Sequence, residues 1–256
     1  MSLNHKTLSV IIAAAGNSLR LGQEESKSKQ FILLNGKPLL FYSIEKFLRL
    51  RNIIEIIIVT NNIEDTQNLV NEGKNSWNFE NFKIVLGSDL RQDSVYNGFC
   101  NVNSSVDLVL IHDVARPIFK VSDVEKCIES ALVYDAAILA VPLVDTLKKG
   151  RSDKDGLIVE TTIDRHSLYQ VQTPQVFKYG LLSEGYKMYK SSNLSNLVAT
   201  DEAQVVELLG RKVGLVLGSQ RNIKITYPED LEIASSIVKS INNFDSKMLK
   251  DMKTKI

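Results

Sequence analysis

The sequence predicts an α/β fold on a mostly parallel sheet with crossover helices, and three observations predict it. Short apolar runs, of a length that suits buried strands, alternate along the chain with segments of helical period. Conspicuous polar clusters fall directly after those runs, where an open α/β sheet binds its ligands. At 256 residues the chain suits one large domain with a well-buried core and one small excursion from it, so a single domain over residues 1–256 is expected.

The first strand is the run Leu8 to Ala15, which breaks at Gly16-Asn17-Ser18-Leu19-Arg20 and reaches Lys29-Gln30 after a polar loop. Pro38 can open a helix over Leu39 to Leu50. Further strands are expected at Ile53 to Thr60, Lys83 to Gly87, Val106 to His112, Ala136 to Pro142 and Lys212 to Gly218. Asp89, Ser122, Thr200 or Asp201, and Thr226 before Pro228 have the side chains that start helices. In the last helix Leu231, Ala234, Val238 and Ile241 recur at helical spacing and should face the core, and the lysine-bearing tail from Ser246 reads as its solvated end. Between Asp145 and about Gln172 the pattern breaks: Lys148 to Gly156 is polar and turn-forming between two short β-like stretches, which predicts a projecting hairpin. Such a ribbon has little core of its own, so it should lean on another surface, most simply a second subunit.

Net charge is +1, so no global basic field invites nucleic acid or a membrane surface, and any anion site must be local. Cys100 and Cys127 show no metal-ligand spacing and read as reduced structural thiols. With no apolar run of spanning length and no signal-like start at Met1 to Thr7, a soluble cytoplasmic protein is expected.

The first turn, Ala13-Ala14-Ala15-Gly16, has no bulk to hold a ligand off the backbone, and it is followed by cations at Arg20 and Lys29. Freed strand-end amides beside cations suit a polyphosphate. The spacing is neither G-x-x-x-x-G-K-[ST] nor G-x-G-x-x-G, which excludes the common ATPase and dinucleotide signatures. Gly87 to Ser94 follows the third strand and offers a carboxylate, hydroxyls and amides to a base or phosphate. The fourth runs into His112-Asp113-Val114-Ala115-Arg116-Pro117, and Asp145-Thr146 follows the fifth. Structural readings stand beside each: Asp89 as a helix cap, Asp113 paired with Arg116, His112 as a satisfied strand-end histidine. Asp164-Arg165, Gln172-Thr173-Pro174-Gln175 and Asn222-Ile223-Lys224-Ile225-Thr226 complete the inventory; Lys224 alternates with two isoleucines and can return a third cation to the site.

In this order the clusters resemble the cytidylyltransferases that make CDP-linked polyols, most closely the methylerythritol phosphate branch, from about Val10 to Ala234. The resemblance rests on Arg91-Gln92-Asp93-Ser94-Val95, His112 to Pro117, Val171 to Gln175 and Asn222 to Thr226. It implies a Rossmann-like fold and a reaction of CTP with a polyol phosphate, with Mg²⁺, giving a CDP-polyol and pyrophosphate. By motif, Ala14, Ala15 and Gly16 would approach the nucleotide, and Arg20, Lys29 and Lys224 would be catalytic, holding phosphates. Asp89, Ser94 and the Ser88 backbone would read cytosine, whose exocyclic amine gives a carboxylate its purpose. Asp113 would sit by nucleotide and metal, directly or through water. Arg116, Thr146, Arg165 and Thr173 would bind the polyol phosphate, with Thr146 and Arg165 reaching a neighbour's site across a homodimer built on the hairpin arm.

The chain departs from the family pattern at Ser18, Ser28 and Ser88, and Lys27 is an alternative to Lys29 as the loop's phosphate lysine. D-ribitol 5-phosphate is the rival substrate; Arg91 to Val95 and Asp201-Glu202-Ala203 favour methylerythritol phosphate. A nucleotide-binding regulatory dimer without catalysis has no use for three phosphate-facing cations, and an NAD-dependent dehydrogenase would need the absent glycine fingerprint.

Overall fold

The computed structural model describes residues 6–16, 28–191 and 199–253, the stretch 245–253 by backbone alone. Arg20 and Lys27, with Ser18, lie outside the described residues.

The chain begins with strand β1 (Leu8–Ala13), a single 3-10 turn at Lys29–Phe31, and the small ribbon β2 (Leu33–Leu34) and β3 (Lys37–Pro38). Helix α1 (Leu39–Phe47), β4 (Ile53–Thr60), α2 (Ile63–Trp77), β5 (Phe82–Leu86), α3 (Arg91–Cys100), β6 (Leu108–Asp113), α4 (Val121–Tyr134) and β7 (Ala136–Pro142) follow in alternation. Next come β8 (Leu147–Asp153), β9 (Gly156–Ile163), β10 (Tyr169–Lys178), α5 (Tyr179–Ser191), α6 (Glu202–Glu207), β11 (Gly214–Leu217) and α7 (Pro228–Lys253). Among the described residues the main sheet has seven strands in the order β11-β7-β10-β6-β1-β4-β5. Neighbouring strands run parallel except β10, which opposes both β6 and β7.

Side chains alternating along these strands feed two cores. Val10, Ile12, Ile56, Ile58, Leu108 and Leu110 face one side, under α1, α2, α4 and α7. Ile11, Ile57, Val59, Val109 and Ile111 face the other, under α3, α5 and α6. Burial on both faces is why these strands read as unbroken apolar runs. Ala234 and Val238 of α7 are buried as its spacing predicts. None of the described helices is long and apolar enough to cross a membrane.

Three expectations need correction. The long strand β10 lies inside the sheet, where the sequence reading ended a hairpin and placed only polar flanks. Gln172-Thr173-Pro174-Gln175 disguises it, and the register with β7 shifts between Gln172 and Gln175, where Pro174 has no N–H to give a ladder. Lys148 to Asp153 is strand rather than turn; only Lys154-Asp155 bends the ribbon before Gly156 at φ 136°. Neither Asp89 nor Ser122 caps a helix: Leu90 and Lys120 occupy those positions, whereas Asp201 does cap α6, accepting from the Gln204 amide at 3.0 Å.

Candidate active site

Strand β1 is flanked by β4 on one side and β6 on the other, so the order of winding reverses beside it. A crevice opens at such a point beyond the strand ends. Here it is a cleft of about 350 Å³ lined by Ala13, Ala15 and Gly16 at the end of β1, Asp113, Val114 and Ala115 at the end of β6, and residues from four further segments. Ala14 packs in the core and spends its N–H on the Val59 carbonyl at 2.8 Å, so its neighbours form the wall instead.

Each further segment is pinned. Gln30 is fully buried and donates to Thr60 Oγ1 at 2.8 Å, which anchors the turn that carries Lys29 to the end of β4. Lys29 Nζ donates to the Ile225 carbonyl at 3.0 Å, joining the first segment of the chain to the last. The loop after β5 is tied to α3 by Ser94 Oγ, which accepts from the Ser88 amide at 2.8 Å and donates to the Ser88 carbonyl at 3.0 Å. Asp89 lines the cleft from that loop. Gly87 is required there: a Cβ would stand 2.3 Å from Ala15 Cβ and 2.9 Å from Asn61 Oδ1. Asn61 in turn donates to the Ala15 carbonyl at 2.6 Å.

Charge is arranged as a chain. Lys224 Nζ donates to Asp113 Oδ2 at 2.7 Å, Arg91 Nε donates to Asp113 Oδ1 at 3.0 Å, and the far end of Arg91 forks onto Glu202. Burial pushes the Asp113 carboxyl up, but the Arg91 guanidinium and the Lys224 ammonium outweigh it and hold that carboxyl well below the usual range. Burial raises Glu202, against the pull of Arg91. Lys224 sits outside any strand or helix, beside buried Ile225, whose amide donates to the Ala115 carbonyl at 2.8 Å.

A second chamber of about 260 Å³ adjoins the first and shares Arg91, Asp113 and Lys224 with it, adding Arg116, Gln172 and Thr173 among others. Arg116 does not pair with Asp113; it donates to the carbonyls of Asn222 at 2.8 Å and Val171 at 3.2 Å, and its Nε has no partner. Thr173 Oγ1 accepts from the Asp113 amide at 3.0 Å and lies 3.1 Å from His112 Nδ1. His112 is fully buried between Phe47 and Phe119, and burial lowers its pKa to about 3. Burial favours its neutral form, and its ring is enclosed by the core rather than open to the cleft.

Residues 8–240 match the family model described as IspD, 2-C-methyl-D-erythritol 4-phosphate cytidylyltransferase. The chain belongs to this cytidylyltransferase family. It is 39% identical over 234 residues to the protein of that name from Clostridioides difficile strain 630, covering 90% of this chain and 93% of that one. Identity is 42% over 229 residues to the one from Caldanaerobacter subterraneus subsp. tengcongensis, covering 89% and 96%. In three dimensions it resembles 4-diphosphocytidyl-2C-methyl-D-erythritol synthase from Anaerococcus prevotii, with a TM-score of 0.75 at 30% identity over 93% of this chain and 98% of that chain. The cytidylyltransferase is therefore a nucleotidyltransferase, and the match favours methylerythritol phosphate over the ribitol phosphate alternative.

Within the cytidylyltransferase the structure brings Ala15, Gly16, Lys29, Ser88, Asp89, Ser94, Asp113 and Lys224 to one cleft, and Arg116 and Thr173 to its neighbour. Thr146 and Arg165 line neither; both are exposed near the base of the β8–β9 ribbon, where Arg165 donates to the Val144 carbonyl. Sequence reasoning assigned no role to Arg91, Asn61, Glu202 or Asn222. Arg91 and Glu202 lie inside the quoted motifs beside Asp93 and Asp201, equally charged and equally without a site role, so the motifs alone do not single them out.

Proposed function

We propose that this cleft binds CTP with its cytosine against the Ser88–Ser94 loop and its phosphates between β1 and Lys224, and that the adjoining chamber seats 2-C-methyl-D-erythritol 4-phosphate. The reaction is cytidylyl transfer, which yields CDP-methylerythritol and pyrophosphate on the non-mevalonate route to isoprenoid precursors. The observation that carries the residue roles is the convergence of Lys29, Arg91 and Lys224 with Asp113 at the β1–β6 crevice, next to a loop that holds a carboxylate and hydroxyl for a base.

A phosphate oxygen of the polyol substrate attacks the α-phosphorus; that P–O bond forms as the bond to the bridging oxygen breaks, and the electron pair leaves with pyrophosphate. The nucleophile is an anion at neutral pH, so no general base is needed, and the neutral His112 is not one. The obstacle is bringing anions together and stabilising growing negative charge, which fixed cations do without reorganising. Lys29, Lys224 and, by motif, Arg20 fill that role. Arg116 and the Thr173 hydroxyl line the adjoining chamber and suit the polyol phosphate.

Among the described residues no three His, Cys, Asp or Glu side chains group to hold a metal, and both oxygens of Asp113 already take cations. That donor set suits a divalent cation that arrives on the triphosphate, so Mg·CTP is the proposed substrate, with Asp113 reaching the ion through water. The ion supplies charge neutralisation on the phosphates.

The β8–β9 ribbon is exposed on both faces, with Leu157 80% and Val159 61% accessible, more apolar surface than a free ribbon tolerates. This supports a homodimer in which the arm crosses to the neighbour and delivers Thr146 and Arg165 to its second chamber. The free thiols Cys100 and Cys127 support a cytoplasmic setting. Phosphorus NMR of a reaction with Mg·CTP and methylerythritol phosphate tests the roles: a CDP diester and inorganic pyrophosphate should appear together, and CTP hydrolysis without the diester would refute the two-chamber assignment.

A further inference from the structure

We propose that Glu202 is a positioning residue that governs pyrophosphate departure by holding Arg91 back from the reacting phosphates. Arg91 lines both chambers of the cleft, the space assigned above to CTP and the polyol phosphate. Yet every hydrogen bond its side chain makes runs to a carboxylate. Nη1 donates to both Glu202 oxygens at 3.0 and 3.2 Å, Nη2 donates to Glu202 Oε2 at 3.2 Å, and Nε donates to Asp113 Oδ1 at 3.0 Å.

Glu202 is 1% exposed and does not line either chamber; it acts on substrate only through Arg91. Its position is fixed from two sides. Asp201, before it, caps α6 through Oδ1 and accepts Gln175 Nε2 of β10 at 2.8 Å through Oδ2. The result is an alternating line, Glu202, Arg91, Asp113, Lys224, in which Arg91 is held between two carboxylates and Lys224 by one. A bidentate carboxylate is the partner that holds a guanidinium in one plane.

Remove the charge of Glu202 and that plane is lost. A glutamine offers one acceptor and turns an N–H₂ donor toward the Arg91 donors, so the guanidinium is left to seek the strongest anion in reach, the phosphates. A cation that grips substrate and product alike strengthens ground-state binding without lowering the barrier, and it delays release of pyrophosphate. The signature is tighter pyrophosphate binding with slower turnover, whereas mere loosening of the fold weakens binding.

This inference rests on the cytidylyl-transfer reading, and calorimetry separates the two. Titration of pyrophosphate with Mg²⁺ into wild type, Glu202→Gln and the double variant Glu202→Gln with Arg91→Gln reads affinity without turnover. The expected result is an affinity about fivefold tighter in Glu202→Gln and no tightening in the double variant, with kcat about tenfold below wild type in Glu202→Gln. Unchanged or weaker pyrophosphate binding in a folded Glu202→Gln overturns the proposal, as does tightening that survives the loss of Arg91. Should Glu202→Gln melt below the assay temperature, Glu202→Asp, which keeps the charge one methylene back, must lie between wild type and looser control of Arg91, and weaker pyrophosphate binding there overturns it equally. A wild type that binds pyrophosphate but makes no CDP diester refutes the transfer reading alone.

Discussion

Lys224 Nζ and Asp113 Oδ2 are 2.7 Å apart, a contact that ties the end of β6 to the segment before α7 at the mouth of the cleft. It holds a cation at the cleft to which the triphosphate is assigned. Lys224→Ala should lower kcat by about a hundredfold or more, the usual cost of losing one fixed donor to a transition state, with circular dichroism unchanged. A variant with wild-type kcat would remove Lys224 from the mechanism.

Asp113 gives a pH prediction. Burial raises its carboxyl, but Arg91 and then Lys224 outweigh that and depress it in the folded protein. A depressed carboxyl contributes stability that is complete above the unfolded value, near about 4, and is lost as pH falls toward the folded one. Asp113→Asn leaves Arg91 and Lys224 short of a buried partner and should cost about 3 kcal/mol at neutral pH. Melting temperatures of the two proteins should converge as pH drops below about 4. A gap that holds constant into strong acid contradicts this.

Gly87 predicts how tightly the nucleotide wall is built. A methyl there meets Ala15 Cβ at 2.3 Å and Asn61 Oδ1 at 2.9 Å, so β1 and the loop after β5 must separate. Gly87→Ala should raise KM for CTP about tenfold and alter kcat less, because the displaced groups bind rather than react. Steady-state kinetics with varied CTP read the split directly; an unchanged KM would mean that the wall yields.

Dimeric sharing of sites is tested by complementation. If Arg165 serves the neighbour's chamber while Lys224 serves its own, Arg165→Ala and Lys224→Ala are each inactive. Co-refolding them in equal amounts should restore about a quarter of wild-type activity, since half the dimers are mixed and each mixed dimer has one whole site. No recovery despite subunit exchange would place both residues in one site.

Much of this arrangement is legible in the chain because strands buried on both faces announce themselves. Ile53–Thr60 and Ala136–Pro142 coincide with the expected runs. Strand β10 is hidden because Gln172, Thr173 and Gln175 bury polar side chains whose partners lie on other segments, as when Gln172 Nε2 donates to the Ser219 carbonyl at 2.9 Å. No local pattern encodes that partner. The same holds for Arg91: its motif was visible, but the partners that decide its role, Asp113 and Glu202, are 22 and 111 residues away. Asp113 invited pairing with nearby Arg116, whereas the fold gives Arg116 to backbone carbonyls.

On the proposed reading, this cleft transfers the cytidylyl group of CTP to 2-C-methyl-D-erythritol 4-phosphate. The most direct measurement is kcat/KM for pyrophosphate release with CTP and either that substrate or D-ribitol 5-phosphate. A ratio favouring methylerythritol phosphate by about a hundredfold or more, the discrimination that a site with matched polar contacts supports, is the predicted result. Robust turnover of ribitol 5-phosphate alone would contradict it.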